Sequence, residues 1–336
     1  MTPESEIAGN GLKPAGAGCG SSCSTIEPLA VDGRIAGSTA RHIAVCVCTY
    51  RRSHLLKHLL EKLKTQETDG LFTFSVVVVD NDHAESGKAV VSEFMDGSPI
   101  KISYHVEPRQ NIALARNKAV QNAAGDFVAF IDDDEVPTDR WLATLFKTCE
   151  RFQVDGVLGP VKPYFDESAP KWLVEGRFYD RPSYPTGFVI EGRNGRTGNV
   201  LLRRAVFSES PQPFRPEFRT GEDQDFFRRM IERKKVFVWC DEAVAYEAVP
   251  PTRWKRSFLL RRALLRGQNA VIHPTFGFRD ITKSLIAVPA YSIALPLAFL
   301  LGQHKFMNLL VRLFDHLGKL MALMGINAIA SEYITD

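Results

Sequence analysis

The chain has 336 residues, with 42 Lys and Arg against 39 Asp and Glu, a formal charge of +3. Hydrophobic residues at 45% and charged residues at 24% describe an ordinary folded protein, which excludes a disordered chain and a polytopic membrane protein. Six Cys in this length do not make a disulfide scaffold. Residues 1–40 carry Lys13 and Arg34 against Glu4, Glu6, Glu27 and Asp32, whereas residues 251–336 carry 11 basic and 4 acidic residues. A near-neutral body with a basic end raises the question of an anionic partner.

Residues 1–40 are rich in Gly, Ala and Ser and read as a disordered tail without the basic start and apolar run of a signal peptide. Cys19 and Cys23 lack a second Cys/His pair nearby and belong to that solvated tail. From residue 42 the pattern changes. Ile43–Cys48 is a buried strand by length and composition, and Leu55, Leu56, Leu59, Leu60 and Leu63 then recur at helical spacing. Phe74–Val79 is a second strand, ending in Asp80-Asn81-Asp82. A helix is predicted over about 84–95 and a third strand over Ile100–His105. Asn111 is placed to cap a helix, and Phe127–Ile131 runs straight into Asp132-Asp133-Asp134-Glu135. Further on, a helix is expected at about 138–152 and a strand at Val157–Val161. A long surface excursion follows over 162–196. Strands at Asn199–Leu202 and Val236–Cys240 flank a helix that starts near Glu222.

Strands apolar on both faces, alternating with helices, predict an α/β fold with a mostly parallel sheet covered on both sides. In such sheets ligands bind beyond the carboxyl ends of the strands. Three strands deliver polar groups there: Thr49-Tyr50-Arg51-Arg52, Asp80-Asn81-Asp82 and Asp132 to Glu135. Three adjacent Asp repel one another, and a divalent cation with oxygen ligands, Mg²⁺ or Mn²⁺, relieves that repulsion. The alternative is a merely solvated triplet with Thr138 or Asp139 capping the next helix. Glu222-Asp223 at a helix start is favourable by the helix dipole alone; the functional reading makes it a general base.

The motifs Cys48–Arg52, Val79–Asp82, Asn111–Asn117, Phe130–Glu135, Thr197–Arg203 and Gly221–Asp225 together resemble the family 2 glycosyltransferases. More narrowly they resemble bacterial exopolysaccharide enzymes, including the succinoglycan glucosyltransferases. The resemblance covers about residues 42–270 and implies a GT-A (Rossmann-like) fold and an inverting, metal-dependent transfer. It implies that Thr49, Tyr50, Arg52, Asp80, Asn81, Asp82, Arg116, Asp132 and Asp133 surround a nucleotide-sugar donor, UDP-glucose in the first place. Asp132 and Asp134 would hold Mg²⁺ or Mn²⁺. Asp223 would be the catalytic base, oriented by Glu222 or Arg203. At Asn81-Asp82 many relatives read Asp-Gly, so the contact to the base stays open among Asp80, Asn81 and Asp82. A silent sugar-nucleotide-binding scaffold and a metal-dependent phosphotransferase are the alternatives, though the P-loop expected of the latter is absent from the sequence.

Arg253, Lys255, Arg256, Arg261, Arg262 and Arg266 place six cations within 14 residues, interleaved with Trp254, Phe258, Leu259 and Leu260. They suit anionic lipid or the diphosphate of a lipid-linked oligosaccharide acceptor; with a neutral body and no known module, nucleic acid is excluded as a partner. Ser284–Gln303 is a 20-residue stretch without a charged side chain. Three placements are open: one membrane span, a re-entrant or surface-lying hairpin with residues 306–330, or a soluble core helix. The amphipathic spacing of Phe306, Leu309, Leu310, Leu313, Leu317 and Leu320 favours the surface-lying hairpin. The expected organisation is a tail over 1–40, a GT-A domain over 41–250 and a helical membrane-associating region over 251–336, at the cytoplasmic face of a bacterial inner membrane.

Overall fold

The computed structural model describes residues 25–27, 41–96, 98–208, 210–218, 221–272 and 276–326. In chain order its elements are β1 (Arg41–Thr49), α1 (Ser53–Lys64), β2 (Phe72–Asp80), α2 (Lys88–Met95), β3 (Lys101–Val106), α3 (Ile112–Asn122), β4 (Phe127–Ile131), β5 (Glu135–Pro137) and α4 (Trp141–Phe152). They continue with β6 (Gly156–Leu158), β7 (Val161–Tyr164), α5 (Lys171–Glu175), β8 (Asn199–Arg203), α6 (Glu222–Glu232), β9 (Phe237–Trp239), β10 (Ala245–Ala248), α7 (Arg256–Ile272), α8 (Phe278–Leu300) and α9 (Gln303–Leu323).

Seven strands form one sheet in the order β3-β2-β1-β4-β8-β6-β9. The first four run parallel, with Thr49 opposite Asp80 and Cys46 opposite Phe130, so β1, β2 and β4 end along one edge. β8 is antiparallel to both β4 and β6, and Asn199 pairs with Ile131. It therefore enters from the edge where β4 leaves, which sets Gly198 beside Asp132. The sheet is covered on both faces. α1, α2 and α4 bury Leu56, Leu59, Leu60, Leu63, Val91, Trp141, Leu145 and Phe146 on one side. α3 and α6 bury Ala115, Ala119, Phe226 and Phe227 on the other. The small residues of α3 let it lie close to the sheet, while α6 brings a cluster of Phe rings against Phe214 and Phe237.

Several expectations are corrected. Val157–Val161 is not one strand: Gly159-Pro160 breaks it, and β6 and β7 join different sheets. The excursion over 162–196 contains part of β7 as well as α5, and buries Leu173 and Tyr179 against Val249, Leu259 and Met307. A second sheet, β5-β10-β7, was not foreseen. The residue preceding α4 is Arg140, with no side-chain cap from Thr138 or Asp139. Asn111 does cap α3, accepting from the Ala113 and Leu114 amides. Within 1–40, Thr25 bridges to Phe188, and Ile26 donates its amide to the Gly187 carbonyl and packs on the core; the predicted tail other than 25–27, with Cys19 and Cys23, lies outside the described residues.

At the C-terminal end α7 packs on α9, and α9 on α8. Asn308 donates to the Gly176 carbonyl, joining α9 to the loop behind α5. Two buried glycines bring α7 and α9 together: a Cβ on Gly267 would meet the Asp315 carbonyl oxygen at 2.1 Å, and one on Gly318 the Leu264 carbonyl oxygen at 2.3 Å. Asp315 sits in that contact, bonded to Arg266 and Lys319. α8 runs through Pro289 and Pro296 without ending. Among the described residues it is the one helix long and apolar enough to cross a membrane by length and composition. Its Phe278, Ile293 and Leu300 side chains are 80% exposed or more.

Candidate active site

The site lies at the crevice between β1 and β4, where the sheet order turns from β3-β2-β1 to β4. The Asp triplet forms the turn between β4 and β5, closed by the Glu135 amide donating to the Asp132 carbonyl. Asp133 is 1% exposed, while Asp132 and Asp134 are half-buried. The Thr49 hydroxyl donates to Asp133 at 2.7 Å, and Arg52 reaches across the crevice to Asp133 at 2.5 Å and Asp134 at 2.8 Å. Burial, opposed by Arg52, raises the Asp133 carboxyl to about 7.

A network of arginines surrounds the remaining carboxylates. Arg116 on α3 is buried, bonds Glu222 and stands 3.6 Å from Asp132. Arg181 pairs with Glu247 and lies 3.7 Å from Glu135. Arg253 reaches Glu247 at 3.1 Å and Asp134 at 3.7 Å. Formally, Asp132, Asp133, Asp134, Glu135, Glu222 and Glu247 outnumber Arg52, Arg116, Arg181 and Arg253 by two. Burial and then the Asp132 charge push Glu135 well above the carboxylate range, the direction expected of acids crowded out of water.

That excess bears on a metal. Glu135 Oε1 is buried and has no hydrogen-bond partner. It converges with Asp132 Oδ2 over the backbone of Gly198, where an added Cβ would meet them at 2.6 and 3.1 Å. Among the described residues no three acidic, His or Cys side chains close into a cation cage. Hard carboxylate oxygens with room left for phosphate are nevertheless the donor set of Mg²⁺ or Mn²⁺ sites, which use one or two carboxylates plus substrate phosphates. The residues present fit such an ion; Asp134 is turned toward Arg52 and Arg253 rather than toward Gly198.

The other site residues divide by what their side chains already hold. Asp80 accepts from the Gly87 amide, the Tyr104 hydroxyl and the Asp82 amide. Asn81 donates to the Glu107 and Arg109 carbonyls and accepts from the Asn111 amide, which fixes the start of α3. Asp82 pairs with Arg51 at 3.1 Å, and the Arg51 guanidinium covers the Tyr50 ring at 5.1 Å. At the start of α6, Gly221 takes a left-handed φ of 83°, which turns the chain into the helix. Three acids then occupy its first turn. Glu222 is held by Arg116 and Asp225 by Arg228 and Arg229. Among the described residues Asp223 accepts only the Gln224 amide, at 2.8 Å, and it is half-buried rather than enclosed. Arg203, expected to orient Asp223, instead bonds the Val154 carbonyl and Glu150 and covers Phe127.

Sequence reasoning placed Glu135 at the ligand edge and Gly198 in a motif but gave neither a role, and it missed Arg181 and Glu247. It also set Arg253 in a lipid-facing basic run, whereas Arg253 points back into the acidic edge. Only the apolar strand before Glu135 hinted at its burial; Arg181 and Glu247 fall where periodicity is weak.

A seven-stranded α/β sheet with a metal-compatible acidic edge and an acidic helix start defines a GT-A nucleotide-sugar transferase fold. A solved structure shares it: the mannosyltransferase PcManGT from Pyrobaculum calidifontis in complex with GDP-Man and Mn²⁺. It is 17% identical, with a TM-score of 0.60 over 86% of this chain and 88% of that one. The profile of glycosyl transferase family 2 matches residues 44–210. The succinoglycan biosynthesis protein ExoM of Rhizobium meliloti (strain 1021) is 36% identical over 229 residues, 68% of this chain and 73% of its own length. The glucosyl-dolichyl phosphate glucuronosyltransferase of Haloferax volcanii is 30% identical over 174 residues, 50% of this chain and 54% of its own. The chain belongs to glycosyl transferase family 2.

Proposed function

We propose that the protein transfers a sugar, with inversion, from a nucleotide diphosphate donor to a hydroxyl of a lipid-linked oligosaccharide in exopolysaccharide assembly. Glucose and UDP are taken as the sugar and nucleotide from the resemblance to the succinoglycan glucosyltransferases, and the likeness to the succinoglycan biosynthesis protein ExoM agrees with the exopolysaccharide part of the reading. The observation that carries the reading is the state of the first turn of α6. Glu222 is tied through Arg116 to the Asp132 edge, while among the described residues Asp223 beside it accepts only the Gln224 amide. The residue next to the base and the donor edge thus share one guanidinium.

The acceptor oxygen attacks the sugar C1 as the bond from C1 to the diphosphate oxygen breaks, and Asp223 takes the acceptor proton. Arg52, beside Asp133 and Asp134, and Arg116, beside Asp132, supply positive charge at this edge that would favour release of the diphosphate. Thr49 and Asp133 hold Arg52 in place. Tyr50 and Asp82, with Arg51, border the nucleotide base. Asp80 and Asn81, whose side chains are taken up by backbone groups and the Tyr104 hydroxyl, act by shaping that wall. Asp132 and Glu135 would hold Mg²⁺ or Mn²⁺, with Asp134 adjacent; when bound, the ion neutralises charge on the leaving diphosphate.

α8 lies at a membrane surface in this reading, at the cytoplasmic face of a bacterial inner membrane. Its exposed Ile293, Leu297, Phe299 and Leu300 seek an apolar phase, and α9 packs beside it as the second arm of a hairpin. The test is transfer from UDP-glucose with Mn²⁺ to membrane glycolipid. Transfer abolished by chelator is expected. Donor binding without turnover under any acceptor supply would instead favour a silent scaffold.

A further inference from the structure

Beyond the donor crevice, on the β6 and β9 side of the sheet, a cleft opens between the loop after β7 and the start of β8. It is lined by Arg181, Tyr184, Asn194, Arg196, Gly198 and Trp239 among others. Tyr184 stacks on Phe188 at 4.3 Å and meets Trp239 edge-on at 5.4 Å, so two aromatic rings are held rigidly in one wall. Gly198 separates this cleft from Asp132 and Glu135.

The cations here are unequally used. Arg181 is occupied by Glu247 and Glu135. Arg196 is exposed and makes no hydrogen bond or ion pair with any described residue. Partial withdrawal from water and the positive charge of Arg181 lower its pKa, while the Asp223 carboxylate nearby partly supports its charge. A guanidinium set among other cations, with no acid bonded to it, is poised for an anion from outside the chain. Rigid aromatic walls with a few polar groups are the make-up of a small-ligand pocket.

Resting on the transfer reading above, we infer that this cleft is an acceptor subsite, in which Arg196 binds an oxyanion of the acceptor while a hydroxyl of the same molecule lies at Asp223. The oxyanion is a carboxylate on an acidic sugar or a phosphate joining the glycan to its lipid. The aromatic wall takes the sugar face.

The experiment uses the full chain saturated with UDP and Mn²⁺, so that the donor site is filled. Binding of methyl glucuronide, inorganic phosphate and neutral methyl glucoside is measured by calorimetry for the wild type, Arg196→Gln and Arg196→Lys. At least one charged probe should bind about tenfold or more tightly than the glucoside, and Arg196→Gln should remove that advantage. Arg196→Lys should keep part of it, and UDP affinity should be equal in all three. Preference for glucuronide identifies an acidic sugar; preference for phosphate identifies the lipid linkage. Equal binding of charged and neutral probes, or an advantage that survives Arg196→Gln, overturns the inference. Failure of the wild type to bind UDP refutes the transfer reading instead, and the probe comparison on free protein still decides the cleft.

Discussion

Replacing Arg116 by Met leaves the Glu222 carboxylate only 5% exposed and without its guanidinium. Removing one partner of a buried pair costs about 3–5 kcal/mol, because the remaining charge has neither water nor a counter-charge. Burial already raises the Glu222 pKa in the intact protein, with Arg116 opposing; without Arg116 it rises further. A carboxyl whose folded pKa exceeds its unfolded one stabilises the fold most below the unfolded value. That stability is lost as pH climbs through the interval between the two. The variant should therefore be most destabilised near neutral pH and regain stability toward pH 4. Adding Glu222→Gln should recover most of the loss, a coupling of about 2 kcal/mol or more in a double-mutant cycle. Urea unfolding of the four proteins at two pH values measures it. Additive costs, or a deficit that grows as pH falls, would refute the pairing on which the proposed chemistry rests.

Asp223→Asn should lower transfer by about 10²–10⁴-fold while shifting stability by no more than about 0.5 kcal/mol, since the side chain accepts one local bond; retained turnover sinks the base assignment. Gly198→Ala should push Glu135 and Asp132 apart, cost about 1–3 kcal/mol and weaken Mn²⁺-dependent UDP binding in calorimetry. Unchanged metal-dependent affinity would remove Gly198, and the two oxygens over it, from the donor edge. Ile293→Glu with Leu297→Glu, both on the exposed side of α8, should reduce sedimentation with anionic vesicles and leave the melting temperature unchanged. Undiminished sedimentation would move the membrane contact elsewhere.

The parallel half of the sheet was legible because β1, β2 and β4 are apolar on both faces, a pattern only double coverage explains. The direction of β8 was not. Whether a strand runs up or down depends on the path taken by residues 162–198, which has no period to read. β5 and β10, of three and four residues, are too short to carry an alternation. The same distinction holds in the site. Acids ending a strand announce themselves, so the Asp triplet and Glu222-Asp223 stand out in the linear chain. Arg181, Glu247 and Arg253 come from irregular or late segments and gain meaning only when folding sets them against those acids. A lone Arg in a loop carries no signal of which carboxylate it will meet.

The reciprocal glycines at Gly267 and Gly318 bear on the membrane-bound reading proposed above. Where Gly267 and Gly318 meet, backbone lies against backbone, and that contact gains from dispersion and from the Arg266–Asp315 ion pair, with Leu259 and Met307 adding an apolar contact further along. Contacts of that kind keep their strength when the surroundings change from aqueous to oily, as the small-residue seams of membrane helices do. A seam of large aliphatic side chains would lose its driving force there. In the membrane-bound reading proposed above, the glycine contact would hold the hairpin of α8 and α9 to α7 in either solvent.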